Sequence, residues 1–254
     1  MRLLQSSQQA VQIALDHPER QVVFMAIGFE TTTPATAVAL DQAQALKLQN
    51  FSVLCNHVLT PAAMIALLSS PEPLQVDGFL GPSHVSTIIG SQPYQRIAAS
   101  YAKPIVIAGF EPLDVLQSVW MLLKQVNAGE HRVENQYSRA VTPQGNAKAQ
   151  AWMARFFDIR ARFEWRGLGE IPQSALKLKA EYSQFDAEQR FSIPVRETPE
   201  VKGCECPAIL RGAKKPQDCR LLGKLCTPEN PVGSCMVSSE GACAAYWRYR
   251  RYRT

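Results

Sequence analysis

Six of the chain's seven cysteines fall between residues 204 and 243, spaced C-x-C-x12-C-x6-C-x8-C-x7-C; the seventh is Cys55. A cysteine count this lopsided is a statement about chemistry. The tail carries a thiol site, and the upstream residues have to be read as what positions it.

The charge pattern points the same way. The formal net charge is +5, and residues 200–254 hold ten Lys or Arg against five Asp or Glu, while residues 1–199 hold seventeen of each. Basic groups near a thiol favour the thiolate, the form that binds metal or attacks a disulfide. The basic end (Arg248, Arg250, Arg251 and Arg253) is also read as a solvated surface. It could touch nucleic acid, but the other features of such a binder are missing. No apolar run is long enough to span a membrane, and the opening Met1-Arg2-Leu3-Leu4-Gln5-Ser6-Ser7 is too short and polar for a secretory core. The expected location is the cytoplasm, with no membrane and no nucleic acid as partners. There, clustered cysteines bind metal or work in redox chemistry more often than they form structural disulfides.

Upstream, short apolar runs alternate with helical stretches. Strands are expected at 22–27, 51–55, 78–80 and 104–108. Thr33-Pro34 and Thr60-Pro61 each read as a capping hydroxyl followed by Pro at the first helical position. The helix ending near 126 carries an apolar face of Leu116, Val119, Trp120, Leu122 and Leu123. Helices are expected at 6–17 and 147–157, and an irregular or helical segment at 182–191. Strands alternating with helices imply an α/β fold, a parallel β-sheet flanked by helices, here followed by a small irregular cysteine-rich region. The expected domains are 1–128 (α/β), 129–199 (connecting, helical or irregular, with a linker at 192–199) and 200–254 (cysteine-rich). Ligands of open parallel sheets bind where the strands end. The four exit loops hold Glu30, Thr31, Thr32, Asn56, His57, Ser83, His84, Glu111 and Asp114, and Gly-Phe-Glu recurs at 28–30 and 109–111. As a set they read as a working edge or an interface, although each alone would pass as a turn or cap.

Spacing leaves three options for the tail. Structural zinc sites pair ligands as C-x2-4-C knuckles, and these gaps fit poorly. A disulfide framework needs an oxidising compartment. A four-thiolate iron–sulfur cluster tolerates irregular spacing and would leave two thiols over.

Five motifs bear a family likeness: Gly28-Phe29-Glu30-Thr31-Thr32, Gly109-Phe110-Glu111-Pro112-Leu113-Asp114, Glu134-Asn135-Gln136-Tyr137, Glu164-Trp165-Arg166-Gly167-Leu168-Gly169 and Met236-Val237-Ser238-Ser239-Glu240-Gly241-Ala242-Cys243. Together they resemble the HypD family of hydrogenase maturation proteins, over essentially the whole chain. The resemblance implies two similar α/β domains and a third region binding a [4Fe-4S] cluster. It implies work with a HypC-type chaperone and a HypE-type cyanide donor, and indirectly with the hydrogenase large subunit. The task would be to assemble the Fe(CN)2CO unit of [NiFe]-hydrogenases, with transient iron held along the way. Carried over, Cys204, Cys219, Cys226 and Cys243 would ligate the cluster, with Cys206 as the rival to Cys204, and Cys206 with Cys235 would form a redox pair. Glu30, Thr31, Thr32, His84, Glu111 and Asp114 would face the cleft where partners meet. Full-length members also carry an earlier α/β region with Cys-Gly-Gly-His-Thr-His-like and Gly-Pro-Gly-Cys-Pro-Val-Cys motifs, and neither occurs here. The chain therefore reads as the C-terminal two-thirds of such a protein, able to hold the cluster but not to build the iron unit unaided. Cys55 reads as a small buried apolar residue. The rival from another class is a zinc-stabilised α/β binding module without redox work. A small-molecule enzyme comes last, because no G-x-G-x-x-G, P-loop or activated nucleophile is present.

Overall fold

The computed structural model describes residues 1–72, 74–165, 167–194 and 201–250, the last without the Arg250 side chain. The chain forms two compact units. One comprises Met1–Met64, Asp77–Phe163 and Pro172–Pro194; the other comprises Ile65–Val76, Glu164–Ile171 and the described part of Val195–Thr254. Most of the expected linker and of the basic end, residues 195–200 and 251–254, lie outside the described residues.

In chain order the first unit runs α1 (Ser7–Asp16), β1 (Val22–Gly28), α2 (Thr33–Ala45), β2 (Phe51–His57), α3 (Thr60–Leu68, which ends in the second unit), β3 (Phe79–Gly81), α4 (Ser83–Ile89), α5 (Gln92–Tyr101), β4 (Ile105–Ile107), α6 (Pro112–Ala128) and β5 (Val133–Asn135). After α7 (Ala147–Phe156) come β6 (Phe157–Ile159), β7 (Arg162–Trp165), β8 (Gly169–Pro172), β9 (Leu176–Leu178), a 3-10 turn at Ala180–Phe185 and α8 (Ala187–Arg190). The tail carries α9 (Cys206–Leu210), α10 (Ser234–Val237) and α11 (Ala242–Arg250).

The fold is α/β with parallel strands flanked by helices. The parallel strands form two sheets, however, and not one continuous edge, while β6 pairs antiparallel with β9 and β7 pairs with β8. β1 and β2 pair in parallel from Val22 opposite Phe51 to Gly28 opposite His57. β3, β4 and β5 form a second parallel sheet in that order. Phe51, Leu40, Phe156 and Phe185 are fully buried at the centre of the first sheet's core. Asn50 ties α1 to it: its buried amide donates to the carbonyls of Ala14, His17 and Arg20 at 2.8, 3.1 and 3.0 Å. Ala14 lies in the last turn of α1, whose carbonyls have no helical partners, and His17 and Arg20 lie in the loop that follows.

Two local readings change. The hydroxyls of Thr33 and Thr60 do not cap their own helices. Thr33 donates to the Phe29 carbonyl at 3.1 Å, and the N–H of Thr60 is taken by the Glu30 carboxylate at 2.9 Å. An ionised carboxylate satisfies a helix N-terminus better than a hydroxyl does, and β1 delivers one there. The apolar face of α6 is also turned outward. Asp114, Ser118 and Gln125 are buried, while Leu113, Leu116, Trp120 and Leu123 are exposed. The inner side is held by polar pairing: Ser118 donates to the Asp114 carbonyl at 2.7 Å, and Gln125 accepts the Arg132 N–H at 2.8 Å. Leu116→Gln is therefore expected to change unfolding free energy in urea by no more than about 0.5 kcal/mol, as at other exposed positions. A core leucine would cost several times that.

Candidate metal and redox centre

Five tail cysteines (Cys206, Cys219, Cys226, Cys235 and Cys243) form one buried cluster with Ile209, Met236 and Ala244, and half-buried Cys204 packs against it with Leu221, Leu222, Val232 and Trp247. None is disulfide-bonded. Cys206 opens α9 after Glu205, with Pro207 just inside the helix. Cys235 lies in α10 and Cys243 in the first turn of α11. The sulfurs of Cys206, Cys235 and Cys243 lie within 4.8 Å of one another, and all three residues are buried. The Cys235 N–H donates to Cys206 Sγ at 3.3 Å.

Two glycines make the crowding possible. A Cβ at Gly233 would stand 2.5 Å from both Cys204 Sγ and Cys206 Sγ. One at Gly241 would stand 2.3 Å from the Cys235 carbonyl oxygen. Cys204 is thus the neighbour of Cys206 on the side of Gly233. Cys226 Sγ accepts the Val232 N–H at 3.4 Å, and Cys219 Sγ lies 3.9 Å from the Gly203 carbonyl. Residues from far upstream reach this unit too: Gly167, at φ +84°, brings its backbone against Ser234 Oγ and Cys206 Cβ.

The electrostatics suit a cation. Burial pushes the Cys204 thiol up to about 11. Hydrogen bonding with Cys206, then with Cys243, brings Cys235 down to about 4, and the same contacts hold the Cys243 proton on. These contacts favour a thiolate at Cys235 and a thiol at Cys243. Ionising Cys206, Cys235 and Cys243 together without a cation would crowd like charges in a dry site. A thiophilic metal relieves that repulsion, because thiolates are the form it binds. Three buried soft donors fit a zinc or an iron–sulfur group, so the centre can hold a metal.

The expected polar edge is divided between the ends of the two sheets. At the first, Glu30 is 1% exposed, and its two oxygens accept the Thr60 N–H at 2.9 Å and the Thr60 hydroxyl at 3.0 Å. Burial raises its pKa. Thr31 is exposed, and Thr32 turns its hydroxyl to the carbonyls of Phe29 and Ile27. At the second, Asp114 is buried. It accepts from Arg139 through both oxygens and from Gln136 at 2.9 Å, and these bonds hold its carboxyl well below the usual range, the Arg139 pair most of all. Glu111 and Asp114 form a reciprocal capping box at the start of α6. Exposed His84 packs its ring on Phe110 at 4.0 Å, and Phe110 meets the Tyr137 ring edge-on. Arg139 and Gln136 carry this arrangement; no sequence pattern marks Arg139. Gln136 lies within Glu134–Tyr137, a motif that has no reading until β5 sets it beside β4.

His57 is 1% exposed, and its Nε2 lies 2.9 Å from Thr36 Oγ1. Burial lowers its pKa to about 4 from an ordinary 6.5. The folded state therefore binds the proton less well than the unfolded one, and stability falls as pH drops from 6.5 towards 4. By pH 5 the loss is expected to be about 2 kcal/mol. Urea unfolding at pH 7 and pH 5 measures it, and His57→Gln should flatten that part of the slope.

Fold and site together define an α/β scaffold with a buried polythiol centre able to hold a metal. The HypD profile, described as "Hydrogenase formation hypA family", matches residues 1–250. The "Hydrogenase expression/formation protein HupD" of Azotobacter chroococcum and the "Hydrogenase maturation factor HypD" of Azotobacter vinelandii are each 58% identical over 257 residues, covering 100% of this chain and 68% of the relative. The HypD of Escherichia coli K12 is 43% identical over 99% of this chain and 67% of its own. The chain belongs to the HypD family, whose matching members are hydrogenase maturation factors.

Proposed function

We propose that this chain takes part in building the Fe(CN)2CO unit of [NiFe]-hydrogenases in the cytoplasm, as a scaffold and thiol redox accessory. The observation that carries this reading is the gathering of five cysteines into one buried cluster, with Cys204 packed against it, in a HypD-family chain. On this reading a [4Fe-4S] cluster sits on Cys204, Cys219, Cys226 and Cys243, and when bound it supplies single electrons. The chain's own residues do the rest. Cys206 and Cys235, in hydrogen-bond contact, pass from two thiols to one disulfide, releasing two electrons and two protons to a disulfide-bearing partner. Cys243, beside both, joins the pair to the metal site. The exposed groups at the sheet ends (Thr31, His84 and Glu111) meet the partners, a HypC-type chaperone and a HypE-type cyanide donor. The buried Glu30 and Asp114, with Thr32, hold those ends in shape. The hydrogenase large subunit enters later and indirectly.

Anaerobic purification tests this. A brown protein with about four irons and four sulfides per chain is expected. A colourless protein with one zinc would instead make the Cys206, Cys235 and Cys243 group a zinc site and the chain a binding module.

A further inference from the structure

A recess of about 250 Å3 lies in the second unit, lined by Arg211 and Glu72 and walled by Ala66, Leu67, Leu168 and Pro207. Three separated stretches of chain build it. The Gln75 N–H donates to the Arg211 carbonyl at 2.9 Å, which ties residues 65–76 to the end of α9. Gly212, at φ +71°, lets the same two backbones close up, since a Cβ there would stand 2.6 Å from the Gln75 carbonyl oxygen. Gly167 brings the third stretch in against Cys206, and Pro207 follows that cysteine, so the recess backs onto the thiol centre. Arg211 is unevenly matched in this wall. Its side chain is only 12% exposed, yet the Glu72 carboxylate that pairs with its Nη2 is 61% exposed. Arg211 Nε is buried and has no hydrogen-bond partner. A guanidinium held this deep needs its donors met, and its planar fork can offer Nε and Nη2 together to one carboxylate. Glu72 leaves the Nε corner of that fork empty.

We infer that this recess binds a short aliphatic carboxylate, which displaces Glu72 and engages Arg211 through both Nε and Nη2. Glu72 shows that the arginine accepts a carboxylate, but it is a tethered and exposed one, screened by water. An incoming acid would lay its alkyl chain on Ala66, Leu67, Leu168 and Pro207, where apolar burial adds affinity. Volume sets the size. Sites for drug-sized molecules run to roughly 300–1,000 Å3, so this recess takes a small acid and not a nucleotide. Charge sets the class. Glu72 stands in the wall and no lysine lines it, so a phosphate dianion would meet one cation and one anion there. The carboxylate belongs to a free acid or to a glutamate side chain of a partner protein, and the chemistry that recognises it is the same. No sulfur takes part, so the site stands apart from the metal centre and from the maturation role.

Butyrate titrated into the purified chain, followed by ligand-observed NMR and by the urea midpoint, tests this. Saturable binding is expected, with a raised midpoint and slowed hydrogen exchange at the end of α9. Arg211→Lys keeps the charge but loses the fork, and should weaken binding at least roughly tenfold. Glu72→Ala removes the tethered rival and should tighten binding roughly two- to fivefold. Glu72 is exposed, so this second variant folds even where Arg211→Lys does not. A blocked peptide with one glutamate separates the two sources. Butyrate binding tighter than the peptide assigns a free acid, and the reverse assigns a partner's side chain. Phosphate binding as tightly as butyrate would overturn the assignment to carboxylates. No saturable binding to the parent chain or to Glu72→Ala would overturn the proposal, and so would a butyrate affinity unchanged in either variant.

Discussion

On the proposed [4Fe-4S] reading, Cys219→Ser and Cys226→Ser, each alone, are expected to abolish the visible absorption and the four irons, while Cys206→Ser and Cys235→Ser keep both. The sulfurs differ in what they contact. Cys206 and Cys235 are tied directly, N–H to sulfur at 3.3 Å. Cys219 and Cys226 instead sit against backbone groups of other loops, a carbonyl at 3.9 Å and an N–H at 3.4 Å. A thiol pair already in contact is placed to form a disulfide, and on the proposed reading the other four sulfurs would ligate the cluster. Serine keeps the size but is a poor ligand for iron. Iron and sulfide analysis of the four variants, purified without oxygen, decides the matter. Iron lost from Cys206→Ser and Cys235→Ser but kept in Cys219→Ser would move the metal onto the group formed by Cys206, Cys235 and Cys243.

Gly233→Ala is expected to strip the site of metal without touching a single donor atom. Its new methyl would lie 2.5 Å from two sulfurs at once, closer than any carbon–sulfur contact tolerates. Both sulfurs sit on a short side chain in a packed cluster, so the backbone around α9 or α10 has to give. Overpacking of this kind costs about 1–3 kcal/mol, and here it falls on the geometry of Cys204 and Cys206. Iron content should drop to background, and more thiols should react with a disulfide reagent in the undenatured protein. The chain should still fold, because the α/β unit has its own core. Full iron loading in this variant would show that the crowding relaxes cheaply.

The polar edge shows where reading the chain stops. That Glu30 and Asp114 matter follows from the repeated Gly-Phe-Glu and its place after a strand. That both are buried and committed does not. Glu30 is claimed by Thr60, thirty residues on, and Asp114 by Arg139, twenty-five residues on. Hydrogen bonds of that reach depend on which strands become neighbours, and no local pattern records it. α6 makes the point more sharply. Its spacing marks an apolar face, and a helix ordinarily buries such a face. Here the buried side is Asp114, Ser118 and Gln125, each with its own partner.

The sequence by itself determined the alternation of strands and helices, because apolar period and turn residues act within a few positions. It also determined that the tail is a thiol site, because composition alone puts six cysteines there, and the family, because five motifs keep their order. The tertiary structure decided that the parallel strands divide into two sheets, that β1 keeps one apolar face bare, and that residues 65–76 and 164–171 fold with the tail. It also decided which sulfurs meet. Cys206, Cys235 and Cys243 are separated by up to thirty-seven positions and brought within 4.8 Å by the packing of α9, α10 and α11 over Gly233 and Gly241. Spacing along a chain counts residues, whereas a metal or a disulfide responds only to distances in space.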